Sequence, residues 1–109
     1  MGVVQISKDP NDIWGAASHL IYDLIIFSIN RVGPQDYLVK FRTQFEHRYN
    51  AIDLFELNTE ELKQFRESVS NYASTRAYEG IGIESDSATK SFNELLKGID
   101  RLLGSRQLN

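Results

Sequence analysis

Asp9-Pro10-Asn11-Asp12-Ile13-Trp14-Gly15-Ala16-Ala17-Ser18-His19-Leu20-Ile21-Tyr22-Asp23-Leu24-Ile25-Ile26-Phe27-Ser28-Ile29-Asn30-Arg31-Val32-Gly33-Pro34 holds the densest apolar run of the chain, and its reading decides the fold. Asp9 is a helix-capping residue type, Pro10 suits a first helical turn, where the missing N–H has no partner to lose, and Gly33-Pro34 is a stop. Between these signals Ile13, Trp14, Ala17, Leu20, Ile21, Leu24, Ile25, Phe27 and Ile29 recur at short helical spacings. The spacing predicts a helix over residues 10–31 that is apolar around most of its circumference, with a narrow polar stripe at Gly15, Ser18, His19 and Asp23. Such a helix belongs at the centre of a bundle.

Outward from it, the periodicity predicts three more helices. Residues 35–49 place Tyr37, Leu38, Phe41, Phe45 and Tyr49 on one face, with Asn50 as a stop. Residues 59–78 begin with a capping-box pattern, Asn58 followed by Glu61, and carry Leu62, Phe65, Val69, Tyr72 and Ala73. Residues 87–103 carry Ala88, Phe92, Leu95, Leu96, Ile99, Leu102 and Leu103, with Ser85, Asp86 and Ser87 as capping groups and Gly104 as the end. Ala51 to Leu57 reads as a linker or short turn. The expectation is a single all-α domain over residues 1–109, a bundle of about four main helices.

Composition bounds the function. The chain has 109 residues, 12 Lys+Arg against 15 Asp+Glu, and no cysteine. One core is all that this length supports. Without cysteine there is no disulfide scaffold, thiolate metal site or thiol nucleophile. The net charge of −3 disfavours broad affinity for nucleic acid, which needs clustered Lys and Arg. The apolar stretch from Leu20 to Ile29 contains Asp23 and is far short of the roughly 18 to 20 residues of a membrane span. The opening Met-Gly-Val-Val-Gln-Ile-Ser-Lys lacks the features of an export signal or a myristoylation pattern, so a cytoplasmic protein is expected.

Motifs for chemistry are sparse. Gly80-Ile81-Gly82 lacks the third glycine and the preceding strand of a dinucleotide loop, and reads as a turn. His19 and Asp23 stand one helical turn apart beside Ser18, but adjacent Ser18 and His19 point about 100° apart on a helix, which is poor geometry for a nucleophile and its base. The two histidines, His19 and His47, form no metal-ligand spacing, and neither a metal nor another cofactor is expected.

Arg42-Thr43-Gln44-Phe45-Glu46-His47 resembles the Arg-x(4 to 6)-His motif of HEPN ribonucleases, which are small helical bundles. That resemblance implies Arg42 stabilising a developing phosphorane and His47 acting as acid or base on RNA. The motif lies on the second of four expected helices, whereas the family carries it nearer the end of its bundle.

Charge is blocked along the chain. Asp53, Glu56, Glu60 and Glu61 occur without a cation in residues 51–62, and Glu79, Glu84 and Asp86 without one in 77–87. Acids at predicted helix starts complement the macrodipole, which accounts for Glu60, Glu61 and Asp86. The remainder alternate with Phe55, Leu57, Tyr78, Ile81 and Ile83, a mixture suited to docking a basic protein surface. In size, acidity and want of a catalytic motif the chain is similar to small bacterial immunity proteins paired with colicin-type or contact-dependent growth-inhibition toxins. The resemblance implies a non-enzymatic protein that neutralises a basic toxin domain, usually a nuclease, with no nucleic-acid or membrane partner. The expected contacts are Asp53, Phe55, Glu56, Glu60, Tyr78, Glu79, Glu84 and Asp86. Two alternatives stand beside it: a HEPN-like ribonuclease using Arg42 and His47, and a homo-oligomeric helical scaffold joined through Ile52, Leu54 and Phe55.

Overall fold

A computed structural model describes residues 1–107, so the last two residues of the expected 1–109 domain lie outside the described part. Three short strands accompany four helices: β1 (Gly2–Gln5), β2 (Ile13–Ala16), α1 (Ser18–Val32), α2 (Asp36–Glu46), β3 (Ala51–Asp53), α3 (Thr59–Ser74) and α4 (Ser85–Gln107). Single 3-10 turns follow β3 at Leu54–Glu56 and α3 at Ala77–Ile81. The protein is therefore α+β, and the all-α expectation is overturned.

The error lies in the first third of the chain. Asp9 and Pro10 open a tight turn instead of a helix: Asp9 Oδ1 accepts the Asn11 N–H at 2.9 Å, and the Asp12 N–H donates to Asp9 O at 2.9 Å. A capping aspartate followed by proline serves a β-turn as well as a helix start. The turn folds β2 back antiparallel on β1, with Val4 opposite Trp14 and Gln5 opposite Ile13. β3 then joins the other side of β1 in parallel, Val3 opposite Ala51 and Val4 opposite Ile52, so the sheet order is β2-β1-β3. Ile13 and Trp14, expected on the first helix, are strand residues, and α1 begins only at Ser18.

α1 and α2 pack on the buried side of this sheet, and α4 reaches it through Trp14. Gly2, Val4, Ile6, Trp14 and Ile52 face inward, and a β-carbon at Gly2 would strike Ile21 and meet the Ser18 backbone, which is why α1 can approach β1 so closely. α1 buries Leu20, Ile21, Leu24, Ile25 and Ser28, the last donating its hydroxyl to Leu24 O at 2.8 Å. α2 buries Tyr37, Leu38, Phe41 and Phe45. It stops at Glu46, three residues before the expected end, because Arg48 takes a left-handed conformation (φ 63°), and Tyr49 is consequently 57 % exposed.

The capping box is present in α3: Asn58 Oδ1 accepts the Glu61 N–H at 2.8 Å and Glu61 Oε1 accepts the Asn58 N–H at 3.0 Å. α3 ends at Ser74, short of the expected Tyr78, as Arg76 turns left-handed (φ 54°) and leads into the 3-10 turn. α4 crosses back over α3, to which it is tied by two hydrogen bonds from the Arg66 guanidinium to the Asp100 carboxylate at 2.5 and 3.1 Å. At the centre Phe92 stands within 5.5 to 5.8 Å, ring to ring, of Trp14, Tyr72 and Tyr78. The indole N–H of Trp14 donates to Ser91 O at 2.8 Å, fixing the hairpin to α4.

Candidate functional site

The run from β3 into α3 sets out the first acidic block in space. Asp53 ends β3, Glu56 ends the following 3-10 turn, and the capping box starts α3 with Glu60 and Glu61 in its first turn. Helical spacing then carries Glu60, Gln64 and Glu67 along one face of α3. Opposite them stands Gln35 from the loop between α1 and α2, and together with Asn58, Glu61 and Lys63 these residues line an open cleft of about 510 Å³.

Gln64, one of the lining residues, is held by side chains from the neighbouring helices. Tyr37, buried on α2, donates to Gln64 Oε1 at 2.7 Å; burial raises its phenol well above the ordinary value, the charge of Glu61 adds to this, and Arg31 opposes it. Arg31 donates to Ser68 Oγ at 3.0 Å and to Gln64 O at 3.1 Å, and lies 3.8 Å from Glu67. Lys40 pairs with Glu56 at 3.3 Å. Glu60 has no ion-pair partner among the described residues. Its charge projects into water at the mouth of the cleft.

Asp53 is half-buried, and burial first, then the charge of Glu56, raise its carboxyl above the ordinary value against the opposing pull of Lys40. The folded chain thus holds the Asp53 proton more tightly than the unfolded chain. Stability should fall as pH rises from the unfolded value of 3.8 through the higher folded one. Asp53→Asn is accordingly expected to raise the thermal midpoint at neutral pH, with the gain vanishing in acid, where the carboxyl is protonated in both states. Melts at the two pH values check this, and an unchanged neutral midpoint would contradict it.

The eight expected contact residues do not form one surface. Asp53, Phe55, Glu56 and Glu60 gather at the start of α3, with Phe55 half-buried and its carbonyl accepting from Arg106 at 3.1 Å. Tyr78, Glu79, Glu84 and Asp86 lie beyond the far end of α3, a 16-residue helix, and a helix of that length separates the groups by about 20 Å. Tyr78 is fully buried against Phe92, its hydroxyl 3.2 Å from Thr89 Oγ1. It belongs to the core and offers nothing to a partner. Glu79 accepts from the Ser85 hydroxyl at 2.9 Å, while Glu84 and Asp86 are exposed.

The other sequence candidates are dispersed. Arg42 lies 3.9 Å from Glu46 on its own helix, and His47 is the residue that ends α2, about 140° around the axis from Arg42 by helical geometry. Asp23 accepts the Tyr72 hydroxyl at 2.7 Å, with His19 exposed beside it; burial and the Asp23 carboxylate raise the Tyr72 phenol far above its ordinary value. Gly82 has φ 81° and closes the 3-10 turn. Ile52 and Leu54, expected between copies in the scaffold reading, are fully buried in this chain's own core. Among the described residues no group of three His, Cys, Asp or Glu side chains could hold a metal ion, and no helix is long and apolar enough to cross a membrane.

Gln35, Lys63, Gln64 and Glu67 were absent from the sequence candidates. The four- and three-residue spacing of Glu60, Gln64 and Glu67 could have flagged three members of one face; Gln35 comes from another element and carries no such signal. Comparison with protein-family models, with curated proteins and with solved structures finds no match to this chain.

Proposed function

We propose that the chain is a non-enzymatic binding module of the immunity-protein kind, acting in the cytoplasm, which neutralises a basic toxin domain by docking it on the cleft at the start of α3. The observation that carries this reading is the cleft lined by Glu60, Glu61 and Glu67, with Asp53 and Glu56 shortly before it in the chain and Glu60 free of any internal cation among the described residues. A cleft this open and polar suits a protein surface better than a small substrate, which is ordinarily enclosed by apolar walls. The three carboxylates of the cleft outnumber Lys63 and would steer a cationic partner, and the bonds from Tyr37 and Arg31 to Gln64 hold that wall in place before the encounter.

The test begins with tagged protein recovered from its native cells at low salt, with mass spectrometry of the retained proteins and extraction of RNA from the same eluate. A stoichiometric basic domain whose toxic activity is blocked in the complex is expected. Reversal of Asp53, Glu56 and Glu60 to lysine should then lower its association rate by about tenfold or more at low salt, and less at high salt. The matched reversal of Glu79, Glu84 and Asp86 should leave that rate nearly unchanged. Equal losses from both sets would refute the cleft as the docking site, and RNA recovered without a protein partner would refute the binding reading in favour of Arg42 and His47.

A further inference from the structure

The two outer strands of the sheet are treated very differently. β3 is backed by α2 and ends in the charged trio Asp53, Glu56 and Lys40. β2 is Ile13-Trp14-Gly15-Ala16, a regularly paired edge with no charge, no proline and no bulge. Those are the devices by which edge strands ordinarily avoid pairing with other chains. The bond from the Ile6 N–H to Asp12 O sets the alternation of the antiparallel ladder. By that alternation Trp14 and Ala16 bond to β1, while the N–H and C=O groups of Ile13 and Gly15 point off the sheet. No other element donates to or accepts from those groups among the described residues, and both residues are exposed.

We propose that β2 is the seam of a homodimer, pairing antiparallel with β2 of a second copy. A two-fold axis at Trp14 sets Ile13 opposite Gly15 of the second copy and Gly15 opposite Ile13, so the four outward groups of each strand close four hydrogen bonds and a six-stranded sheet results. Three features favour a second copy as occupant. The two-residue spacing of the outward groups is self-complementary. No charges meet across the seam, since Asp12, the nearest, is tied to Arg101 of its own chain at 2.5 Å. Ile13, 50 % exposed, and Met1, 88 % exposed with its methyl lying over Gly15, are apolar side chains on the outer sheet face at this edge. Joining two edges covers them. A four-residue seam is smaller than the roughly 800 Å² per partner of a standard interface, so the dimer is reversible and grows with concentration. The acidic cleft is lined from the α1–α2 loop and the start of α3, with no residue of β2, so this assembly stands independently of the proposed partner.

Sedimentation of the wild-type chain from micromolar to millimolar concentration should show a monomer–dimer equilibrium, and NMR amide exchange should slow at Ile13 and Gly15 only in the dimer. Ile13→Lys sets a cation into the seam twice and should weaken dimerisation by about tenfold or more, with the fold verified by circular dichroism. A chain that stays monomeric to millimolar concentration overturns the proposal. So does a dimer in which the Ile13 and Gly15 amides exchange as in the monomer, or one that Ile13→Lys leaves intact.

Discussion

Phe92→Ala is expected to lower the stability of this protein by about 4 kcal/mol, at the upper end for a point substitution. Phe92 is fully buried where three elements meet its helix: Trp14 from the sheet, Tyr72 from α3 and Tyr78 from the 3-10 turn all place rings against it. Removing the ring loses its transfer free energy and leaves a cavity that rigid aromatic neighbours fill poorly. A domain of this kind has a total stability of roughly 5 to 15 kcal/mol, so the variant should sit close to its unfolding transition. Urea denaturation measures the difference. A loss near 1 kcal/mol would mean that the aromatic centre repacks freely.

Trp14→Ala should cost about 3 to 4 kcal/mol by the same cavity argument. Here the lost hydrogen bond to Ser91 O adds to the loss of the Phe92 contact. Trp14→Phe separates the two contributions, keeping a ring but removing the donor, and should cost about 1 kcal/mol beyond any difference in packing. Because Trp14 and Phe92 touch, the double alanine variant should lose less than the two single losses together, by about 1 kcal/mol. Strict additivity would show that the hairpin and α4 are energetically independent. Trp14 is the single tryptophan, so its emission reports unfolding in the Phe92 series directly.

The helices were legible in the sequence because their signals are local. Asn58 and Glu61 announce α3, and the buried positions of α4 keep the spacing read from Phe92 to Ile99. The sheet was illegible for two physical reasons. Four of its six outward positions, Val3, Ile13, Gly15 and Ala51, are not polar, and only Gln5 and Asp53 supply the two-residue alternation that marks a half-buried strand. Its pairing of Val3 with Ala51 is remote, and no window of sequence contains both. The acidic cleft divides likewise. Asp53, Glu56, Glu60 and Glu61 were visible as a charge block, whereas joining them to Tyr78, Glu79, Glu84 and Asp86 failed because the length of α3 intervenes. Tyr78 failed separately, since an aromatic beside acids can equally be a core residue on a 3-10 turn.

The central place of β1 also orders events in time. Its hairpin partner follows within a few residues and can close early, within microseconds for an isolated hairpin. Its parallel partner, β3, comes only after α1 and α2, so the third strand cannot be added until that helical pair has folded back across the sheet. Closing so large a loop is entropically slow and is repaid only when Ile52 reaches the core. Folding should accordingly reach a helical pair with an attached hairpin before the sheet is whole, and in that interval both sides of the β1–β2 ribbon, not one, are open edges.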